Sequence, residues 1–220
     1  MTLSGFRSIP RQGHLDRAKR VVGYLSKMKH AALRFRTKIP DYSDIHYIPH
    51  DWERSVYGDI KESLPHDAPE ALGLPVVLTH YVDANLYHDM LTGRSVTGIL
   101  HFINQTPIGW FSKKQDTDET ATYGSEYVAA HICVEQLIDL RTTIRYLGVP
   151  IIRRSYMFGD NESVMNSSMN IDAKLHKRHN ALSFHRVRES IAAGICCFIH
   201  LPGKYNHADI LSTHWSYCCV

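Results

Sequence analysis

Four acidic residues, Asp83, Glu126, Asp160 and Asp209, stand where strands are expected to end or helices to begin. Carboxylates brought to one point repel each other and resist losing their hydration unless divalent cations neutralise them. A ligand set of oxygens, with no cysteine and no obligatory histidine, favours Mg²⁺ or Mn²⁺ over zinc. Two such ions about 4 Å apart activate a water and stabilise the leaving oxygen of an in-line displacement. The chemistry these residues could perform is metal-assisted phosphodiester hydrolysis. Residue type alone is weakly specific, because 22 acids offer many quartets and an isolated aspartate commonly only caps a turn. Placement on the chain's elements is what singles these four out.

The elements follow from periodicity. Val76–Ala84 is an apolar, alternating run that reads as a buried strand with Asp83 at its tip. A polar loop with Gly93 leads to two further strands, 96–104 and 108–113, joined around Gln105-Thr106-Pro107, which complete an antiparallel meander. A long helix spans about 124–147, with Tyr127, Ala130, Val134, Leu137, Ile138, Ile144 and Leu147 on its apolar side; Gly148 and Pro150 end it. Glu126 lies in its first turn. A fourth strand, Tyr156–Asp160, precedes a short helix over 161–168. A basic loop and a helix over 181–193 follow, then a fifth strand at 195–201 and a last helix from His207 that carries Asp209. If the fourth strand returns by a crossover to lie beside the first, Asp83 and Asp160 become neighbours and the two helix turns present Glu126 and Asp209 over them.

The 220 residues suffice for one sizeable domain with an appendage, and 44% hydrophobic with 21% charged residues is ordinary for a globular chain. No apolar run approaches the roughly 18 residues of a bilayer span, so no membrane association is expected. Five cysteines, two pairs of them adjacent in sequence, form no CxxC and read as reduced thiols of an intracellular, cytoplasmic protein. The net charge of +3 hides an asymmetry: residues 1–40 hold ten bases and one acid, residues 41–90 ten acids and two bases. From His14 to Lys29 apolar residues recur at helical spacing, and Leu33, Phe35 and Ile39 alternate with Arg34, Arg36 and Lys38 as in a strand with one wet, basic face. The Pro-punctuated, acidic stretch 41–75 reads as a connector, partly ordered by packing against the main domain, leaving 76–220 as that domain.

Several runs resemble one family. Tyr81-Val82-Asp83-Ala84, Arg94-Ser95-Val96-Thr97-Gly98 and Trp110-Phe111-Ser112-Lys113-Lys114-Gln115 are similar to the ribonuclease H domain of copia-type retrotransposon Pol polyproteins. So are Gly124-Ser125-Glu126-Tyr127, Gly159-Asp160-Asn161-Glu162-Ser163, Lys177-Arg178-His179-Asn180 with Phe184-His185-Arg186-Val187-Arg188-Glu189, and Ala208-Asp209-Ile210-Leu211. They occur in the family's order over about two-thirds of the chain. Gly13–Arg20 with Tyr24-Leu25 is similar to the helix near the end of the preceding reverse transcriptase, its thumb. The resemblance implies an α/β, ribonuclease H-like fold: a mixed five-stranded sheet, three strands antiparallel and then two parallel, flanked by helices. It also implies two Mg²⁺ ions, for which Mn²⁺ substitutes, and cleavage of the RNA strand of RNA–DNA hybrids. Asp83, Glu126, Asp160 and Asp209 match the family's metal-binding acids, and the reverse transcriptase of the same polyprotein is the implied partner. No Tyr-x-Asp-Asp occurs, so this chain by itself does not polymerise. Where the family has Thr-Lys after the last acid and Ile-Phe/Leu, this chain has Ser212 and Thr213, and the tail 214–220 matches nothing in the family.

Around the acids, Arg94, Lys113, Ser125 and Asn161 are candidates for contacting the hybrid, and Lys114 with the 174–188 basic cluster for tracking phosphates. Trp110 and Phe111 read as sheet core. His207, two residues before Asp209, reads as a loop residue rather than a proton shuttle, and His200, His207 and His214 do not share one helix face as a zinc site would require. Two other readings are a catalytically inactive remnant that binds nucleic acid or a polymerase, and an integrase-like nuclease. The latter expects its glutamate last among the acids, whereas Glu126 is second.

Overall fold

The computed structural model describes residues 8–213 apart from 33, 46, 48, 49, 59, 65, 89–91 and 176. Two compact units divide at Phe35 and Arg36. In the first, α1 (Gln12–Lys27) forms where the periodicity predicts a helix and buries none of its residues.

The second unit is built on a five-stranded sheet: β1 (Leu78–Asn85), β2 (Val96–Ile103), β3 (Thr106–Lys114), β4 (Ser155–Gly159) and β5 (Cys196–His200), in spatial order β3-β2-β1-β4-β5. β1 pairs antiparallel with β2 and β2 with β3; β4 runs parallel to β1, and β5 parallel to β4. This is the mixed sheet of the ribonuclease H-like fold, as the sequence leads one to expect. Asn104, at φ 52°, makes the β2–β3 turn tighter than the Gln105-Thr106-Pro107 link anticipated, so β3 starts at Thr106.

Helix α2 (Thr122–Tyr146) lies against the sheet face bearing Val82, Ala84, Ile99 and Met157. Its Tyr127, Ala130, Cys133, Val134 and Leu137 recur at three and four residues and are fully buried. Gly148, at φ +70°, lets the chain turn out of it, and Pro150 follows. Helix α3 (Glu162–Met169), capped by Asn161 Oδ1 accepting from the Val164 amide at 3.1 Å, and α4 (Ala181–Ala192) complete that layer. The short α5 (Asp209–Ser212) lies on the opposite face. Trp110, expected in the sheet core, is 75% exposed instead. It pairs with Leu100 on the face that α2 does not cover, while its neighbour Phe111 packs against the core.

The basic strand expected around residues 33–39 does not form: residues 32 and 34–40 carry no strand, and Leu33 lies outside the described residues. A strand needs a ladder partner, and here side chains of the β2–β3 turn take the backbone groups. The Arg36 amide donates to Thr106 Oγ1 at 2.7 Å, and Asn104 Nδ2 donates to the Thr37 carbonyl at 2.9 Å.

The acidic stretch after it packs against the main domain, and more extensively than a connector with partial order would. Tyr42 lies against Tyr156 and Phe158 on the face opposite α2 and meets Thr79 Oγ1 at 2.8 Å. Trp52 and Tyr57 join the main core, under the guanidinium of Arg188. Glu62 accepts paired hydrogen bonds from Arg141 at 2.7 and 2.8 Å and from Arg145 at 2.6 and 2.7 Å. Residues 36–75 therefore belong to the same compact unit as the sheet, and the division comes some 40 residues earlier than composition indicates. Proline and acidic content mark a chain without regular structure; they do not reveal that its aromatic residues find a core to enter.

Candidate metal centre

The parallel pairing of β1 with β4 ends at Tyr81 and Phe158, and two residues further along each chain Asp83 and Asp160 come to the same edge of the sheet. Glu126 enters from α2, in its second turn rather than the first, because the helix starts at Thr122, two residues earlier than the periodicity indicates. One oxygen from each of these three lies within 4.8 Å of the other two. Asp209 is not in that group, but it lines the same cleft of about 380 Å³, with Asn85, Thr122, Asn161 and Thr213 on its walls. The four acids singled out in the sequence thus share one cleft: three are clustered and the fourth stands at its edge.

Other residues aim these ligands. Gln115, 2% exposed, donates its Nε2 to Thr97 Oγ1 at 3.0 Å and to the Ser125 carbonyl at 2.8 Å, tying the start of α2 to the sheet beside Glu126. Asn206 donates to the Val82 carbonyl at 2.9 Å, one residue before Asp83, and accepts from the Ala208 amide at 3.1 Å, one residue before Asp209. Gly98 sits opposite Asp83 in β2, and a Cβ there would stand 2.8 Å from the Ala208 carbonyl oxygen and 3.0 Å from the Ser212 nitrogen. Only glycine lets α5 approach this closely. Gln115 and Gly98 fall in the runs that carry the family resemblance, whereas nothing at the level of residue type marked Asn206.

The electrostatics are those of an uncompensated acidic site. Burial first, then the charges of Asp160 and Asp209, push Asp83 up to about 6, against the lowering effect of the Ser212 hydroxyl and the Ala84 amide. Glu126 is raised well above the usual carboxylate range by burial and by Asp83 and Asp160. Asp160 is raised by burial and by Asp209, while its own amide and His200 act the other way. Three half-buried or buried carboxylates that hold protons too tightly have a deficit of positive charge, and their donor set is all oxygen. Both properties fit a hard divalent cation.

The proposed contact residues fare differently. Asn161 lines the cleft. Arg94 is half-buried and pairs with Asp118 at 3.7 Å, and Lys113 is exposed and pairs with Asp116 at 3.5 Å; neither lines the acidic cleft. Ser125 is fully buried and donates its hydroxyl to the Thr122 carbonyl at 2.9 Å, so it serves the first helical turn and presents nothing to a ligand. His207 is an exposed loop residue, as expected, with its ring edge-on to Tyr81 at 4.6 Å between centroids. Among the described residues no cluster of histidines and cysteines is arranged to hold a metal, and His214 lies outside them. Cys133, Cys196 and Cys197 are buried free thiols.

No family model matches the chain. Over 141 residues, 64% of this chain, it is 26% identical to the retrovirus-related Pol polyprotein from transposon TNT 1-94 of Nicotiana tabacum. Over 140 residues it is 23% identical to that from transposon RE1 of Arabidopsis thaliana. The chain spans about a tenth of the length of these curated relatives. Among solved structures, LC11-RNase H1, isolated from compost by a metagenomic approach, superposes with a TM-score of 0.48 at 16% identity over 61% of this chain and 91% of that one. The prototype foamy virus protease-reverse transcriptase gives 0.46 at 13% identity over 70% of this chain and 23% of that one. The polyprotein relatives bear out the resemblance read from the motifs.

Proposed function

We propose that this chain is a metal-dependent endoribonuclease that hydrolyses the RNA strand of RNA–DNA hybrids during retrotransposon reverse transcription. The observation that carries the reading is the approach of Asp83, Glu126 and Asp160 oxygens to within 4.8 Å at one edge of the sheet. Asp83, Glu126 and Asp160 would hold Mg²⁺, or Mn²⁺ in its place, as two ions with Asp209 completing the set from the cleft edge. Bound there, the cations supply charge neutralisation, an activated water and stabilisation of the leaving oxygen. The protein's own part is to hold four carboxylates in one orientation and to keep Asp83 and Glu126 out of bulk water. Asn161 would touch the substrate backbone beside Asp160. Arg94, Lys113 and the 174–188 basic cluster would meet phosphates further along a duplex, and discrimination for RNA would rest on 2′-hydroxyl contacts in the minor groove. On this reading the basic N-terminal segment is the end of a reverse transcriptase thumb, the polymerase of the same polyprotein is the partner, and the cytoplasm is the compartment. No described helix is long and apolar enough to cross a membrane.

The test is gel-resolved cleavage of a labelled RNA strand, free and hybridised to DNA, with Mg²⁺, Mn²⁺ or chelator. Cutting that requires both hybrid and metal is expected. A folded sample that cuts at no metal concentration would favour the second reading, a nucleic-acid-binding remnant. That reading draws on Asp209 standing outside the three-acid cluster and on the departure from the family pattern after Leu211.

A further inference from the structure

The last turn of the described chain reaches two of the four acids through hydroxyls. Ser212, fully buried, donates to Asp83 Oδ2, and Thr213 Oγ1 donates to Asp209 Oδ1 at 2.7 Å. The Ser212 oxygen also lies 3.2 Å from the Asp209 carbonyl, the ordinary acceptor for a serine within a helix. A hydroxyl has one proton to give, and a carboxylate is the stronger acceptor, so the proton goes to Asp83. The position of that hydroxyl is set by backbone ties independent of it. Ser112 Oγ donates to the Leu211 carbonyl at 2.6 Å, Asn206 holds the turn before α5 to Val82, and Gly98 lets α5 sit against β2.

We propose that Ser212 is the positioning residue of this centre: its hydroxyl holds Asp83 in one rotamer and couples the turn carrying Asp209 to the ligand on β1, so that the four acids take up divalent cations as one unit. The proposal rests on the metal-binding reading of the same acids. A serine that served only α5 would be satisfied by the Asp209 carbonyl and would not touch Asp83. Without the hydroxyl, the Asp83 carboxylate keeps only the Ala84 amide to orient it, and each orientation other than the productive one is lost to cation binding. Partners that orient a ligand in this way are typically worth 10–100-fold in metal affinity.

The experiment is a Mg²⁺ titration of thermal unfolding on the intact chain, for the parent, Ser212→Ala, Ser212→Thr and Asp83→Asn, with hybrid cleavage followed over the same Mg²⁺ series. Ser212→Ala should raise the half-saturating Mg²⁺ about tenfold in both readouts, whereas Ser212→Thr, which keeps the hydroxyl, should stay within about threefold of the parent. Asp83→Asn should abolish the Mg²⁺-induced shift. A parent that shows the shift beside a Ser212→Ala variant with unchanged half-saturation overturns the role of Ser212 alone. Equal displacement of the Ala and Thr variants also overturns it, because the effect is then packing. A parent with no Mg²⁺-induced shift overturns the metal reading and this one together.

Discussion

Replacing Asp83 by Asn should make the metal-free protein more stable while abolishing its cleavage. The folded state raises the Asp83 carboxyl from 3.8 to about 6. A folded state that binds a proton more tightly than the unfolded chain loses stability as pH rises through that interval, and the loss is complete above the folded value. With about 1.4 kcal/mol for each tenfold change in proton affinity, the full cost is about 3 kcal/mol above pH 6 and nothing below the unfolded value. Asparagine has the same shape and no charge to bury. In chelator at pH 8 the variant should gain up to about 3 kcal/mol, or about 6–12 °C in melting temperature for a chain of this size. At pH 3.5, where both the folded and unfolded carboxyl are largely protonated, the two proteins should unfold alike. The comparison is a difference between two chains, so the buried His80 and His101, both lowered by burial, contribute equally and cancel. Urea unfolding at a series of pH values reads the difference directly. A variant no more stable than the parent at pH 8, or one equally favoured at pH 3.5, would refute the view that this site is strained by its own uncompensated charge.

Other consequences are open to measurement. Glu62, lowered to about 2 against burial by its hydrogen bonds to Arg141 and Arg145, contributes stability that is present above its unfolded value of 4.5 and is lost as pH falls towards 2. Glu62→Gln leaves the buried Arg141 without its charge partner and should cost about 3–5 kcal/mol near neutral pH by urea unfolding, with less difference from the parent near pH 2. Gly98→Ala should push α5 from the sheet and lower hybrid cleavage at least tenfold at an unchanged far-ultraviolet circular dichroism spectrum; unchanged cleavage would show that Asp209 does not need this placement. A chain beginning at residue 36 should unfold cooperatively like the second unit of the whole, whereas one beginning at residue 71 should lose most of its stability, because it lacks Trp52, Tyr57 and Glu62. Trp52→Ala alone should cost about 3–5 kcal/mol.

How much could be read in advance depended on whether the physics was local. The order of strands and helices was legible, because alternation along β1 and β2 and the three-four spacing along α2 follow directly from which face each residue turns to the core. The ends of strands and starts of helices are local too, so the four acids could be placed on their elements from residue type and spacing. Glu126 on the helix after the third strand is what set them apart from the integrase-like arrangement. Local signals failed where a distant partner decided the outcome. Residues 34–40 alternate like a strand, yet among the described residues they join no ladder, and the side chains of Asn104 and Thr106 take backbone groups of Arg36 and Thr37. The acidic stretch looks unstructured by composition, yet Trp52 and Tyr57 enter a core assembled from α2 and α4, and Glu62 makes a buried Arg141 tolerable on the apolar side of a helix. Trp110 has the character of a core residue but pairs on the uncovered face. The chain alone thus determined which acids could meet and what chemistry they would support. Only the tertiary structure decided how closely they meet, because the parallel pairing of β1 with β4 brings Asp83 to Asp160, the packing of α2 on the sheet brings Glu126 to both, and the bare backbone of Gly98 with the Asn206 side chain sets where Asp209 stands.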